Sequence, residues 1–567
     1  MSREPSSTPA GGRLRLIVWA LPVVFGIVVA VRGAWLCDDV FVSFRYVDHW
    51  LDGAGLVFNP GERVEGYTHF LWVVLLAAGA RAGLDLLELG RYLPVVAWVA
   101  LLAVLWGHAV RESRQHSGHP WLALPVAAWG LALHRDAQIY ASSGLETSFF
   151  ALLLVLGVLF VAGRRPRLEL GAVVYALATL VRPEGALYAA SAGLLVLARQ
   201  RGLRALGRPA AIWLTLVLPF VAWKTWYYGT PIPNTYYAKS AALPYWSQGW
   251  IYTKLYFSIY AVLVLCLALA LGLWIATRRR SRDPAQGPDL LLLLLVQSAL
   301  SILYVGRVGG DFMFARFYIP MTPLVYLAAE EGLRRMRRPA WSAALGALVV
   351  AGTLAARLPR DRIFVGADRV HGITDEPSNY SPDALRDLAR QGEVLHRLLG
   401  DTGGRIVLPP GRTMVGYFGQ LPYVIEGSGL TDAEIARQPL TARGRPGHEK
   451  GPSDELLRRR RVPLVLLWGG HRAAALPVWE RLVADGVYCR IVYYDRPLLD
   501  ALRRKPGVQF IDFPQLLDQY LGRVAEVPAD QLRKDAADFQ QFYFDFNADP
   551  ERRARLEAAL RAAGGTR

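Results

Sequence analysis

The chain is poor in cysteine and has no clustered metal-ligand pattern. Three cysteines, Cys37, Cys266 and Cys489, are scattered over 567 residues, which excludes a small fold stapled by disulfides. A Cys37–Cys489 bridge is permitted if both thiols face an oxidising compartment, but the spacing does not demand it. No HxH, HExxH or cysteine cluster occurs, which argues against a zinc site. A nucleotide-binding motif is also missing, as is a repeat between the two halves of the kind that marks many transporters. No small-residue cleavage site follows the apolar run from Leu16 to Trp35, so a retained first helix is expected rather than a cleaved signal.

Apolar residues are plentiful. They make up 53% of the chain, with 17 tryptophans and a mean hydropathy of +0.23, a mixture that points to many membrane spans. The formal charge is +17, but the basic residues are not gathered on one module that would follow a nucleic-acid backbone. They form short clusters between apolar runs: Arg164-Arg165, Arg199 to Arg208, Arg278 to Arg282 and Arg334 to Arg338. Clusters so placed mark cytoplasmic helix ends. No nucleic-acid partner is expected; membrane lipid is.

Apolar stretches near 16–35, 67–81, 92–110, 121–134, 145–163, 168–181, 185–199, 209–228, 251–277, 288–306, 317–333 and 340–357 are candidate spans, judged against the roughly 20 residues a crossing needs. With the arginine clusters inside, the loops 182–185, 229–250 and 307–316 and everything after about Leu358 lie outside. An inner N-terminus then requires an odd number of spans. Eleven are expected, with 121–134 the stretch that fails to cross. Beyond Leu358 charged and polar residues return. Strands are expected at Arg405–Leu408, Pro463–Trp468 and Cys489–Tyr494, and helices at Leu385–Leu399 and Leu476–Asp485. The expected architecture is a polytopic α-helical membrane domain over 1–357, then a mixed α/β extracytoplasmic domain over 358–567 ending in a polar helical tail (Asp530 to Ala563).

The most informative segment is the first expected outer loop, 37–66, with the residues that follow it. Asp38 and Asp39 sit where the first span leaves the membrane, a costly place for two carboxylates unless they are paired or used. Asp at a helix start is also an ordinary cap. Val40, Phe44, Val47 and Leu51 then recur at helical spacing, predicting an amphipathic helix along the membrane surface.

An Asp-Asp pair just after the first transmembrane helix resembles the signature of GT-C glycosyltransferases. The stretch DDVFVSFRYVDHWLDGAGLVFNPGERVEGYTHFLW is similar to the terminal β-(1→2)-arabinofuranosyltransferase family. Further similarities follow in SSGLET (Ser142 to Thr147), VRPEG (Val181 to Gly185), PNTYYAK (Pro233 to Lys239), GGDFMFARFYIP (Gly309 to Pro320), GLTD (Gly429 to Asp432) and RPGHEK (Arg445 to Lys450). In the orientation set by the arginine clusters every one of these falls on the outer side.

The resemblance implies a GT-C fold in a bacterial plasma membrane and transfer of a sugar from a polyprenyl-phosphate donor to an envelope glycan acceptor. Arabinofuranose is the first expectation; mannose or glucose is the alternative, and a lipid-linked sugar flippase is the rival from another class. Such transfer needs a base for the acceptor hydroxyl and cations for the departing phosphate. Asp38 and Asp39 are the expected catalytic carboxylates, with the first favoured as base. Arg182, Lys239, Arg307 and Arg316 are candidates for the phosphate. Arg45, Glu65, Tyr67, His69, Glu146, Glu184, Asp311, His448, Glu449 and Lys450 are expected to bind substrate or to hold those that do. The Asp38–Asp39 pair is also a candidate for a divalent cation such as magnesium or manganese. The aromatic residues between Trp223 and Trp250 read first as an interfacial belt.

Overall fold

A computed structural model describes residues 9–113, 124–200, 203–277, 289–365, 369–468 and 476–564. The helical part opens with α1 (Pro9–Arg32), α2 (Asp38–Leu51), α3 (Phe70–Arg81) and α4 (Leu86–Ser113). Two short buried helices follow, α5 (Val126–Leu133) and α6 (Arg135–Ile139), and then α7 (Thr147–Ala162), α8 (Leu168–Val181), α9 (Gly185–Gln200) and α10 (Arg204–Tyr228). The second half comprises α11 (Asn234–Ala238), α12 (Trp246–Ile259), α13 (Ala261–Thr277), α14 (Leu290–Val308), α15 (Thr322–Arg334), α16 (Pro339–Ala355) and α17 (Arg357–Ile363).

Large apolar side chains stand exposed along α1 (Ile17, Leu21, Val24), α10 (Leu214, Leu218) and α13 (Val264, Leu271). On a bundle in water this would be an aggregation hazard; in lipid it is the expected outer face. Among the described residues five helices are long and apolar enough to cross a membrane, or six if the pair α12–α13, bent by 89° at Tyr260, is one span. The chain is thus a multi-pass membrane protein. Of the eleven spans expected, several are shorter apolar helices: α3, α7, α8 and α9. The stretch 121–134 yields the eight-residue α5, its first three residues lying outside those described. The stretch 317–333 yields only α15, 13 residues long and almost wholly buried against α5, α13 and α14. Hydropathy measures how apolar a window is; it does not distinguish a lipid-facing helix from one enclosed by other helices. The arginine cluster 278–282 lies outside the described residues.

After α17 come the hairpin β1 (Arg369–Val370) and β2 (Ile373–Thr374), α18 (Pro382–Leu399), β3 (Arg405–Leu408), α19 (Thr413–Phe418), β4 (Tyr423–Glu426), β5 (Leu464–Leu466), β6 (Arg481–Ala484), β7 (Val487–Ile491) and β8 (Val508–Phe510). The last six strands form one mixed sheet in the order β4-β3-β5-β7-β6-β8; β3 runs parallel to β4 and β5, and the other pairs are antiparallel. Polar helices at Ala529–Phe539 and Pro550–Gly564 close the chain.

The helix expected over Leu476–Asp485 is instead a short 3-10 turn and strand β6. The reason is local. Ala484 pairs with Val487 across Asp485-Gly486, whose φ angles are +46° and +78°, the geometry of a type I′ hairpin turn that Asp-Gly favours. The Cys37–Cys489 bridge does not form: all three cysteines are free and buried, and Cys489 lies inside the sheet on β7.

The amphipathic α2 is largely enclosed by protein. Val40 through Val47 are buried on every face of the helix, because α19 covers the side turned away from the bundle. Phe41 and Phe44 meet Tyr417 with ring centroids 5.3 and 5.6 Å apart. The helical part and the sheet-bearing part therefore share one continuous apolar core.

Candidate functional site

Most of the recurring motifs meet where the sheet-bearing part rests on the helices, and many of their residues hold that junction. Arg45 donates to the Phe58 and Leu421 carbonyls, each at 2.7 Å. Asn59 pairs with the edge of β4 as a surrogate strand, donating to Val424 O at 2.8 Å and accepting from Val424 N at 3.1 Å. Asn234 donates to the carbonyls of Gly429, Leu430 and Asp432, and Lys450 ties Tyr237 O to Ala436 O. Glu65 is ion-paired to Lys224 at 2.7 Å. Tyr67 shares a hydrogen bond with Tyr228, and Glu449 accepts from Arg443 and from Gly444 N. Arg45, Glu65, Tyr67, Glu449 and Lys450, expected at the substrate, are thus engaged in holding the fold. Arg307 is exposed and reaches the Ala241 and Ala242 carbonyls.

The two aspartates divide. Asp38 is buried, 4% exposed, and its oxygens accept the N–H groups of Met414 at 2.8 Å and Thr413 at 3.0 Å. It binds the N-terminus of α19. Burial pushes its carboxyl up to about 6, against the opposing effect of those two N–H groups. Asp39, one residue on, keeps 30% of its side chain exposed and pairs with Arg316 at 3.1 Å. The expected order of the pair, with Asp38 as the free base, does not match this geometry. The pair does not fit a divalent ion either, since Asp38 has both oxygens engaged and Asp39 faces a guanidinium. Among the described residues no group of three or more His, Cys, Asp or Glu side chains is placed to hold a metal.

Arg316 lies in the irregular segment between α14 and α15, where Gly309, Gly310 and Ala315 all have positive φ. A Cβ on Gly310 would stand 2.3 Å from Tyr252 Cγ, so only glycine lets the chain turn here. The turn brings Asp311, 3% exposed, to 3.3 Å from Arg316. Phe317 then separates two cations: its ring centroid is 5.7 Å from the Arg316 guanidinium and 5.2 Å from that of Arg182. Arg182 ends α8 and is held by Glu184 at 2.6 Å and Glu146 at 3.5 Å. Glu146 also faces His69 at 3.8 Å, and the other ring nitrogen of His69 contacts Ser43 Oγ at 2.7 Å.

Arg182, Glu184, Glu146, His69, Arg316, Asp311 and Asp39 are therefore brought together from five segments of the chain. Arg316 Nε is buried without a hydrogen-bond partner among the described residues, and Arg182 Nη1, also buried, has the 3.5 Å ion pair to Glu146 but no hydrogen bond among them. Lys239, half-buried, packs its stem against Gly447, and its ammonium has no ion-pair partner among the described residues. An apolar cavity of about 310 Å³, bordered by Ala186, Ala189, Gly193, Pro209 and Trp213, opens between α8, α9 and α10. Its lining runs from Ala186 to Leu168, Val196 and Leu206 at the far ends of these helices.

Reasoning from motifs missed Phe317 and Ser43, which lie beside recognised positions, and Glu376. Glu376 follows β2 and is 4% exposed. It arrives beside this site because β2 pairs with the irregular segment: Phe314 N donates to Thr374 O at 2.9 Å and Thr374 N to Phe312 O at 2.8 Å. Nothing in the local sequence around Glu376 marks it.

The chain is 31% identical over 354 residues to the terminal beta-(1->2)-arabinofuranosyltransferase of Mycobacterium tuberculosis, a match covering 56% of this chain and 55% of that one. It is 33% identical over 321 residues to the protein of the same name from Corynebacterium glutamicum, covering 50% and 46%. The chain spans about half the length of these curated relatives. No family model matches. Among solved structures it is similar to ArnT from Cupriavidus metallidurans bound to undecaprenyl phosphate, with a TM-score of 0.51, 11% identity, and coverage of 85% of this chain and 98% of that one. That likeness shows the fold, the GT-C membrane fold expected from the sequence.

Proposed function

We propose that this protein is a glycosyltransferase that moves a sugar, arabinofuranose first among the candidates, from a polyprenyl-phosphate donor to an envelope glycan on the outer side of the membrane. The observation that carries the reading is the pair of buried arginines flanking Phe317 beside a partly exposed carboxylate. Two fixed guanidiniums suit a phosphate, and Asp39 stands where a hydroxyl can reach it. The similarity to arabinofuranosyltransferases supports the sugar, and the bound undecaprenyl phosphate of ArnT supports the lipid.

In this mechanism Asp39 takes the proton from an acceptor hydroxyl as its oxygen bonds to the anomeric carbon. The bond from that carbon to the phosphate oxygen breaks, and the negative charge left on the polyprenyl phosphate is received by Arg182 and Arg316. Glu146, Glu184 and Asp311 hold these cations before substrate arrives, so little reorganisation is needed at the moment of reaction. The apolar cavity between α8, α9 and α10 is suited to part of the prenyl chain.

Transfer of radiolabelled sugar from synthetic polyprenyl-phosphate arabinofuranose, mannose and glucose tests the reading. Wild type should transfer at least one of them, arabinofuranose by preference, and Asp39→Asn should abolish transfer with the fold intact. Absence of transfer from every donor, with donor binding confirmed and several acceptors tried, would move the assignment to a lipid-linked sugar flippase.

A further inference from the structure

The atoms around Phe312 differ in character from the arginine-lined side of the site. Glu376 Oε2 accepts from Thr374 Oγ1 at 2.9 Å and from Asn379 Nδ2 at 3.4 Å, whereas its Oε1 has no hydrogen-bond partner among the described residues. Arg445 lies 4.0 Å from Glu376 Oε2 and 4.5 Å above the Phe312 ring, and its Nε is buried with no hydrogen-bond partner. His448 meets the same ring edge-on at 4.6 Å.

The tautomer of His448 follows from its neighbour. Its Nδ1 lies 3.2 Å from the Pro446 carbonyl, which accepts only, so Nδ1 carries the proton and Nε2 presents a lone pair. Burial, and then Arg445, hold the imidazole down at about 4, so it is neutral at physiological pH. The polar groups here are therefore Glu376 Oε1, which accepts when the carboxyl is ionised and donates when it is protonated, His448 Nε2, which accepts, and the Arg445 guanidinium, which donates.

That set suits vicinal hydroxyls, which both donate and accept. A phosphate is less well matched, because it would meet the His448 lone pair and be repelled by Asp39 and Asp311, which act on Glu376, even with the Lys239 ammonium close to His448. Asp39 is paired with Arg316 and is also close enough to Glu376 and His448 to act electrostatically on both.

We infer that Glu376, Arg445 and His448, gathered around Phe312, form the subsite for the uncharged acceptor sugar, close to Asp39 and apart from the arginines proposed for the phosphate. Two of its elements, the turn after β2 and the loop 445–448, come from the sheet-bearing part. On this inference the soluble part selects the acceptor while the membrane bundle holds the donor. It rests on the transferase reading, but its test does not require turnover.

The test is direct binding to the full-length protein in nanodiscs of two probes, an arabinofuranosyl tetrasaccharide and undecaprenyl phosphate, for wild type, Glu376→Gln and His448→Phe. Each substitution should weaken the tetrasaccharide about tenfold or more, the scale for leaving a sugar hydroxyl without its buried partner, and should leave undecaprenyl phosphate within about twofold. A Glu376→Asp variant should recover part of the oligosaccharide affinity. Unchanged tetrasaccharide affinity in both variants, equal weakening of both probes, or no tetrasaccharide binding by wild type overturns the inference. Intact, mutation-sensitive binding without sugar transfer would instead overturn the transferase reading and leave the sugar subsite standing.

Discussion

Asp38 and Thr413 are 375 positions apart in the chain and are joined by a 3.0 Å hydrogen bond, from the Thr413 N–H to a carboxylate oxygen that shares its group with the Met414 N–H. A residue read as a catalytic base is, in the folded protein, the clasp that seats the first turn of α19 on α2. Asp38→Asn keeps one acceptor and turns an amide N–H₂ toward the other backbone donor. It should destabilise this seat by about 2 kcal/mol, the cost of losing a charged, buried hydrogen bond. Hydrogen exchange in 413–418 should quicken, whereas Asp39→Asn should leave that exchange unchanged and lose transfer about 100-fold or more. Exchange in 413–418 unaltered by Asp38→Asn would show that the clasp contributes nothing.

Arg316 is shared by Asp39 and Asp311, and a lysine in its place offers one point charge instead of a planar fork. Arg316→Lys should lower kcat about 10- to 100-fold with a smaller effect on donor binding. Arg182→Lys should do the same, since both guanidiniums sit against the Phe317 ring. A kcat within twofold of wild type for both variants would remove them from the leaving-group role.

Burial pushes the Glu376 carboxyl up to about 7, with Asp39 and Asp311 adding to it and Thr374 and Arg445 opposing. Native protein then holds a proton that the unfolded chain has released, so this group's contribution to stability is greatest below about 4.5 and falls as pH rises towards 7. The loss over that window is on the order of 3 kcal/mol. Glu376→Gln should therefore gain thermal midpoint relative to wild type as pH rises from 5 to 8. Parallel midpoint curves for the two proteins would contradict the assignment.

The orientation has its own test. Arg386, on α18, is well exposed, and the three native cysteines are buried. Arg386→Cys in whole cells should react with a membrane-impermeant maleimide if the sheet-bearing part is extracytoplasmic. Labelling only after permeabilisation would invert the topology.

Gly310 allows a narrower prediction. Its φ of +71° and the 2.3 Å approach to Tyr252 leave no room for a methyl group. Gly310→Ala should displace the Asp311–Arg316 segment and cost about 2 kcal/mol or more, read as a lowered midpoint together with lost transfer.

The amino-acid sequence by itself determined the membrane-embedded class, the change of character near residue 358, strand β3 and helix α18, because these depend on composition and period within one window. It also placed Asp39, Glu146, Arg182, Asp311 and Arg316 among the candidates, since they lie in motifs that resemble those of one family. Tertiary structure decided which of those motif residues face the site and which hold it closed. Arg45, Glu65 and Lys450 carry the same charges as the site residues, but their partners are carbonyls and side chains that only folding brings near. Asp38 and Asp39 are neighbours with one side-chain chemistry; the helical turn between them sends one into the junction and leaves the other at the cleft. Glu376 became legible only when β2 paired with Phe312–Phe314, because an isolated acidic residue in a polar stretch has no pattern until the chain returns to the bundle.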